Sequence, residues 1–299
     1  MKRFLKYAMF AAVGAMGIGL TSCGGDDGPG TDDPGSLWSG EASTPKYIAD
    51  AAVYDVTSTS RISSVELTES GDYLIIPANY TGYAPARAGK EKSARSLFRT
   101  GKKNRDTRSG ISTSGITYGT FTKNSDGSFN LKGIGKMTYS NGNLTITSDS
   151  GSELVNASAR KVAPKYDSNE LNIRLCRSWY VKNAYTKVYD SNDRLIATVK
   201  YSSSDLKDEF VKYVIVTRAG SFVQVDWDEE VGDLGYWSWN NVKNQIFRYT
   251  WADDSDDGGF IQCYFNDNNA TFVEEYTDYD SDYGDGELRF VEHVGCTSK

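Results

Sequence analysis

The chain has few of the side chains that most enzyme active sites use as nucleophiles and bases. Its 299 residues contain a single histidine, His293. No Ser or Cys motif points to this side chain, so the sequence favours a solvated or capping histidine over a nucleophile and base pair. Two carboxylates can cleave a glycosidic bond, but spacing singles out no pair in a chain this acidic. The sequence therefore predicts no enzyme and no cofactor, with a carboxylate-based glycoside hydrolase as the alternative.

Cysteine is equally scarce, with four residues in the chain. Cys176, Cys263 and Cys296 have no Cys-x-x-Cys spacing, which argues against a zinc or redox site. Cys263 alternates with apolar neighbours and is predicted to be a buried thiol. If any disulfide forms, the expected pair is Cys176 with Cys296.

One acidic cluster has the spacing that opens a calcium loop, at Asp278, Asp280 and Asp282. The sixth position is Tyr283, where an EF-hand loop needs Gly, and no helix pattern flanks the cluster. An EF-hand is therefore excluded. A calcium site and a plain acidic hairpin tip remain the two interpretations.

Long apolar runs are absent, and the longest one lies at the amino terminus. Lys2, Arg3 and Lys6 precede an apolar run from Tyr7 to Leu20, which is shorter than the about 20 residues of a spanning helix. Charged residues, an apolar run and small residues follow one another in the order of an export signal. Residues 1–22 are therefore predicted to be a signal peptide that is removed.

The sequence Leu-Thr-Ser-Cys that ends at Cys23 resembles the lipobox of bacterial lipoproteins. The resemblance implies that Cys23 carries palmitate-type acyl chains and becomes the new amino terminus. Residues 23–40 then form an acidic Gly/Asp/Pro tether, in which the stretch from Gly24 to Gly35 has no apolar side chain to bury. Its Gly-Gly-Asp-Asp start resembles the surface-export signal of Bacteroidetes-type lipoproteins. This implies anchoring on the outer membrane facing the cell exterior, with the periplasmic face as the alternative.

The charge balance limits the partners that we expect. The net charge is −7, which argues against nucleic acid or an anionic membrane surface as the main partner. The exception is a basic segment between Arg87 and Arg108, in which nine Lys/Arg face two acidic residues. Its apolar residues, Leu97 and Phe98, are too few for an amphipathic face, so residues 84–110 are predicted to be a disordered loop. Binding of an anionic polymer or of headgroups is the alternative.

Aromatic and β-branched residues are plentiful, which favours strands over helices. The length predicts two domains, at residues 41–163 and 164–299. In the first domain, Val65–Thr68 and Tyr73–Ile76 flank a Gly turn. Two further strands flank Asn141-Gly142, a pair that accepts the positive φ values of a type I′ turn. The fold class predicted for the chain is mainly β, with two antiparallel domains.

The second domain has a characteristic order of motifs. A short helix at Glu170–Cys176 leads into a strand opened by Trp179, and Gly-x-Trp-x-Trp follows at residues 235–239. This order resembles the lipocalin-like domains of Bacteroidetes-type lipoproteins, although Arg177-Ser178 replaces the usual opening Gly-x. The resemblance implies an up-and-down antiparallel barrel that either fills its interior or holds one small ligand.

Alternation along the strands groups the aromatic residues that are candidates for ligand contact. Trp237 and Trp239 share one face of a strand, and so do Phe247, Tyr249 and Trp251. With Trp179, the candidate ligand wall consists of Trp179, Trp237, Trp239, Tyr249 and Trp251. These side chains are either a ligand-binding surface or core.

Two functions remain for this sequence. The first is a surface lipoprotein, held to the membrane by its lipid, that binds a small apolar or carbohydrate ligand without covalent chemistry. The second is a structural or adhesive surface component with a filled barrel and no small ligand. An open pocket of a few hundred Å³ favours the first and a packed interior favours the second.

Overall fold

The structure is a computed structural model that describes residues 51–58, 60–80, 96–100, 111–112, 115–227, 231–279, 283 and 286–298. The predicted signal peptide, Cys23 and the predicted tether lie outside these residues, as do Asp280 and Asp282. Within the described ranges, no helix combines the length and the apolar character needed to cross a membrane.

The predicted fold class is confirmed, because the described chain forms two closed eight-stranded antiparallel barrels. In the first barrel each strand pairs with the next, and the last strand closes on the first. Its strands are β1 (Ala52–Val56), β2 (Ile62–Leu67), β3 (Asp72–Pro77), β4 (Thr117–Lys123), β5 (Phe129–Leu131), β6 (Gly135–Ser140), β7 (Asn143–Ser148) and β8 (Glu153–Val162).

The second barrel is also up-and-down, with one additional strand paired outside the closed ring. It is preceded by helix α1 (Glu170–Leu175), and helix α2 (Ser203–Glu209) follows the additional strand. The strands are β9 (Ser178–Tyr189), β10 (Leu195–Lys200), β11 (Tyr213–Val216), β12 (Ser221–Val225), β13 (Val231–Asn241), β14 (Ile246–Trp251), β15 (Gly258–Asn266), β16 (Asn269–Tyr279) and β17 (Glu287–Ser298). Strand β17 pairs with β9 to close the ring, while β10 pairs with β9 as the additional strand.

Local turn chemistry accounts for the hairpins. Asn141 and Gly142 both have positive φ, 50° and 77°, which confirms the turn expected between β6 and β7. Gly135 has a φ of 136°, and a Cβ there would lie 2.1 Å from the Thr147 carbonyl oxygen. Only glycine allows the backbone of β6 to approach β7 this closely at that point.

Strand β3 shows how the two barrels are joined. All six of its residues are buried, which an antiparallel strand with one solvated face does not show. Tyr73 and Ile75 point into the first barrel, whereas Leu74 and Ile76 join an apolar cluster with the second. From the second barrel this cluster receives Ile215, Val223, Val225 and Leu234. The apolar contact between the barrels therefore comes from the outward-facing residues of β3, β11, β12 and β13.

A polar cluster borders this apolar contact. The buried carboxylate of Glu66 accepts hydrogen bonds from Thr217 at 2.8 Å and Ser221 at 2.6 Å. Ser178 donates to Asp72 at 2.6 Å. Burial raises the pKa of Glu66 above its ordinary value, and the two hydroxyl donors offset part of this rise. The interface is thus held by hydrogen bonds that need both barrels.

Antiparallel connectivity assigns the two ends of the second barrel. Helix α1 lies before the start of β9, at the same end as the β13–β14 hairpin. Helix α2 leads through Phe210 into the start of β11, and because strand direction alternates this is the opposite end. We call them the α1 end and the α2 end.

Candidate functional site

The α1 end of the second barrel carries a cleft of about 750 Å³. This volume lies within the range of about 300–1,000 Å³ that is usual for small-ligand sites. The cleft is lined by Lys165, Tyr166, Asp167, Asn169, Glu170, Leu171, Asn172, Arg174, Trp239 and Val242. Its walls are therefore α1, the segment before it and the end of β13.

A hydrogen-bond network fixes the orientation of the aromatic residue in this cleft. The indole N–H of Trp239 donates to Oδ1 of Asn172 at 2.8 Å. The amide group of Asn172, which is buried, donates in turn to the carboxylate of Asp167 at 2.8 Å. Asn169 caps the helix by accepting from the backbone N–H of Asn172 at 2.9 Å. The short helix thus fixes the orientation of the Trp239 ring through the side chain of Asn172.

The charges of the cleft cancel. Lys165 and Arg174 are balanced by Asp167 and Glu170, so two positive and two negative groups leave no net charge. Glu170 and Arg174 form an i,i+4 ion pair at 2.5 Å. Two of the ten lining residues are aliphatic, Leu171 and Val242. A neutral, polar ligand with an apolar face matches this lining better than an ion or a lipid chain does.

The five aromatic residues predicted as a ligand wall occupy two different environments. Trp179, Trp237, Tyr249 and Trp251 are at most 2% exposed and pack in the barrel core. Trp239 is half-buried and is the member of the set that lines the cleft. For these four residues the structure matches the core interpretation, which is one of the two that the sequence left open, because other side chains fill the space around their rings.

The interior of the second barrel contains an acidic pair that the sequence analysis did not identify. Glu274 on β16 and Glu292 on β17 are directly opposed cross-strand neighbours, and both are buried. Tyr249 donates its hydroxyl to Glu274, and Ser96 donates to Glu274 at 2.7 Å. Burial raises the pKa of Glu274 to about 7, and the nearby Glu292 adds to the rise. Burial also raises the pKa of Glu292.

Ser96 belongs to a segment that was expected to be disordered. Residues 96–100 instead pack at the α2 end of the second barrel, where Leu97 and Phe98 join its core at 1% and 2% exposure. Phe98 contacts Phe272 with ring centroids 5.0 Å apart. The prediction of disorder was wrong for these five residues, because two adjacent apolar side chains suffice to occupy a cavity that the barrel presents. The remainder of the predicted loop, at 84–95 and 101–110, lies outside the described residues.

The other sequence predictions have mixed outcomes. His293 is buried and stacks on Tyr185 at 4.4 Å, so the expectation of a solvated or capping side chain was wrong. Cys176, Cys263 and Cys296 are all free thiols in buried positions, which confirms the buried Cys263 and shows no Cys176–Cys296 bond. Asp278 is at the end of β16, and the part of the chain that the structure describes contains no cluster of three or more metal-ligating His, Cys, Asp or Glu residues.

The raised pKa of Glu274 predicts a specific pH dependence of stability. A carboxyl whose pKa is higher in the folded than in the unfolded state stabilises the fold below the unfolded value of 4.5. This contribution is lost as the pH rises through about 7, and it amounts to about 3 kcal/mol at most. Glu274→Gln should therefore flatten the fall in unfolding free energy between pH 4.5 and 7, measured by urea denaturation. The exposed Glu287→Gln is the matched control, and an equally steep fall in both variants would contradict the prediction.

No protein-family model matches this chain, and no curated protein matches it either.

Proposed function

We propose that the protein is a lipid-anchored outer-membrane lipoprotein of the Bacteroidetes type that faces the cell exterior. We further propose that it binds a carbohydrate without covalent chemistry in the cleft at the α1 end. The observation that carries the ligand proposal is the half-buried Trp239, held by Asn172 in a cleft of about 750 Å³ without net charge. An indole presents an apolar face to a sugar ring, while the surrounding amides and charged groups match hydroxyl groups.

The composition of the cleft favours a carbohydrate over the apolar ligand that the sequence left open. An apolar ligand is best held in the interior of such a barrel, and there Leu97 and Phe98 join a core of aromatic side chains. The cleft outside this core has two amide, two acidic and two basic side chains within reach of a ligand. Such groups would lose water to an apolar ligand without gaining hydrogen bonds.

Replacing Trp239 tests the ligand proposal directly. Trp239→Ala should weaken binding of a soluble oligosaccharide about tenfold or more, equivalent to about 1.4 kcal/mol, while the barrel stays folded. The measurement is calorimetric titration of the full chain with a panel of neutral oligosaccharides. Tyr236→Ala is the matched control, because Tyr236 lies on the same strand, is 49% exposed and does not line the cleft. Equal affinities in both variants, or no binding of any panel member at millimolar concentration, would contradict the proposal.

The anchor is tested by removing the thiol that would be acylated. Cys23→Ala should release the protein from the outer-membrane fraction, because two or more acyl chains are needed for stable anchoring and the variant has none. Fractionation of cells that express each form, followed by immunoblotting, gives the distribution. Cys263→Ala controls for loss of a cysteine, since Cys263 is a buried thiol of the second barrel. Retention of the Cys23 variant in the membrane would refute lipid anchoring at this residue.

A structural or adhesive surface component is the second candidate function. It is favoured by the packed interior of the second barrel. Trp179, Tyr249 and Trp251 are buried there and occupy space that a ligand would need. The oligosaccharide titration separates the two candidates, because this function predicts that the cleft binds no sugar.

A further inference from the structure

The α2 end of the second barrel binds the main chain of residues 96–100 as a receptor would bind an extended peptide. The backbone N–H of Thr100 donates to the Glu209 carbonyl at 3.0 Å, and that of Val211 donates to the Phe98 carbonyl at 2.9 Å. Arg99 and Phe210 form an isolated antiparallel bridge. Addition of a short strand to a free edge is a common mode of peptide recognition.

A side chain of the barrel wall adds to this main-chain recognition. The amide of Gln224, a buried residue of β12, donates to the carbonyls of Leu97 at 2.8 Å and Ser96 at 3.2 Å. Gln224 occupies an inward position between Phe222 and the end of the strand, where apolar residues would otherwise be expected. A buried amide that donates to the peptide carbonyls of a distant segment serves to hold that segment.

Two side-chain pockets supply selectivity. The apolar pocket takes Leu97 and Phe98, whose side chains contact the barrel core. The second pocket takes the guanidinium of Arg99, which donates to Glu292 at 2.6 Å and to the Tyr201 hydroxyl at 2.5 Å, and also pairs with Glu209. Its carbon Cζ lies 4.1 Å from the ring centroid of Phe210 and 4.7 Å from that of Tyr201. Two carboxylates and two aromatic faces define an arginine pocket.

We propose that the α2 end is a peptide-binding site for an extended segment with the pattern apolar, aromatic, arginine, and that Leu97-Phe98-Arg99 is its tethered occupant. The eight strands of the second barrel close through pairings with one another, so the ring that surrounds the site does not need the segment in order to close. A tethered occupant competes at an effective concentration in the millimolar range, which excludes free peptides from the wild-type protein. Loss of the tethered side chains makes the site available to the same pattern on another molecule.

The experiment removes the occupant and supplies it in solution. The variant is the full chain with Leu97→Ser, Phe98→Ser and Arg99→Ser, and the probe is the peptide acetyl-Ser-Leu-Phe-Arg-Thr-amide. We expect the triple variant to bind this peptide at least 100-fold more tightly than the wild type does, measured by fluorescence anisotropy with a labelled peptide. A peptide with Glu in place of Arg should bind at least tenfold more weakly to the triple variant. Adding Glu292→Gln to the variant should also weaken the original peptide about tenfold.

If the triple variant is unstable, binding is measured instead as the change in its melting temperature when a peptide is added. If the triple variant unfolds early, the original peptide at millimolar concentration should raise its melting temperature, and the Glu-containing peptide should not. Either tight binding or such a selective rescue supports the site. A variant that shows neither binding nor rescue, or that responds equally to both peptides, would overturn it. These outcomes are independent of the oligosaccharide titration, which reports on the other end of the barrel.

Discussion

Replacing Trp237 with Ala should destabilise the full chain by about 3–5 kcal/mol. Its side chain is 2% exposed and stacks on Tyr166 with ring centroids 4.2 Å apart. It also packs edge to face against Trp239 and Phe247. The indole N–H donates to the Thr217 carbonyl at 2.9 Å, so truncation leaves both a large cavity and a buried acceptor that has lost a donor.

The measurement is urea or thermal unfolding of the full chain, followed by near-ultraviolet circular dichroism. An isolated second domain starting at residue 164 is unsuitable, because it lacks Leu97 and Phe98, which complete the core of that barrel. Tyr236→Ala is the matched control on the same strand, and it should change stability by about 0.5 kcal/mol or less because its ring is exposed. Similar losses in the two variants would show that Trp237 is not a core residue.

The strand pattern was readable from the sequence because each signal is local. Alternation over four to eight residues and an Asn-Gly pair at 141–142 depend on neighbours in the chain, so they specify β6, β7 and their turn without knowledge of the rest of the fold. The order of strands in the second barrel likewise follows from short connections. The closure of the first domain into a ring was not foreseen, because pairing of β1 with β8 joins residues that are about a hundred positions apart.

The candidate sites were only partly readable for the same physical reason. Trp237 and Trp239 have the same period and the same chemistry, and what separates them is their depth in the barrel and the position of α1 over its end. Leu97 and Phe98 lie in a segment that contains nine basic residues, so the local composition predicted a solvated loop. Their burial depends on a core that residues from Leu175 to Cys296 build, far later in the chain. The acidic residues Glu274 and Glu292 have no local signal that distinguishes them from exposed carboxylates.

The largest electrostatic effect is expected at the ion pair between Arg99 and Glu292. The Glu292 carboxylate is fully buried, while the Arg99 side chain is 22% exposed. Burial alone lowers the pKa of Arg99, but the charge of Glu292, together with Tyr201 and Tyr276, holds the pKa above its ordinary value. Arg99→Met keeps an unbranched apolar stem and removes the charged guanidinium, which leaves the Glu292 carboxylate in the barrel without its cation.

We expect Arg99→Met to cost about 3 kcal/mol at pH 8, near the lower end for breaking a buried pair because the guanidinium reaches solvent. The cost should depend on pH with a definite sign. Burial already raises the Glu292 pKa above 4.5, and loss of Arg99 raises it further. A group of this kind adds stability below its unfolded pKa and loses it as the pH rises through the folded value, so the cost at pH 5 should be smaller than at pH 8.

A double-mutant cycle separates this charge effect from packing. Glu292→Gln added to Arg99→Met should recover a large part of the loss at pH 8, because the uncompensated carboxylate is then gone. Unfolding free energies of the wild type, both single variants and the double variant at pH 5 and pH 8 give the coupling. If Arg99→Met costs the same at both pH values and Glu292→Gln recovers nothing, then Arg99 contributes by packing over Phe210 and Tyr201 rather than by neutralising Glu292.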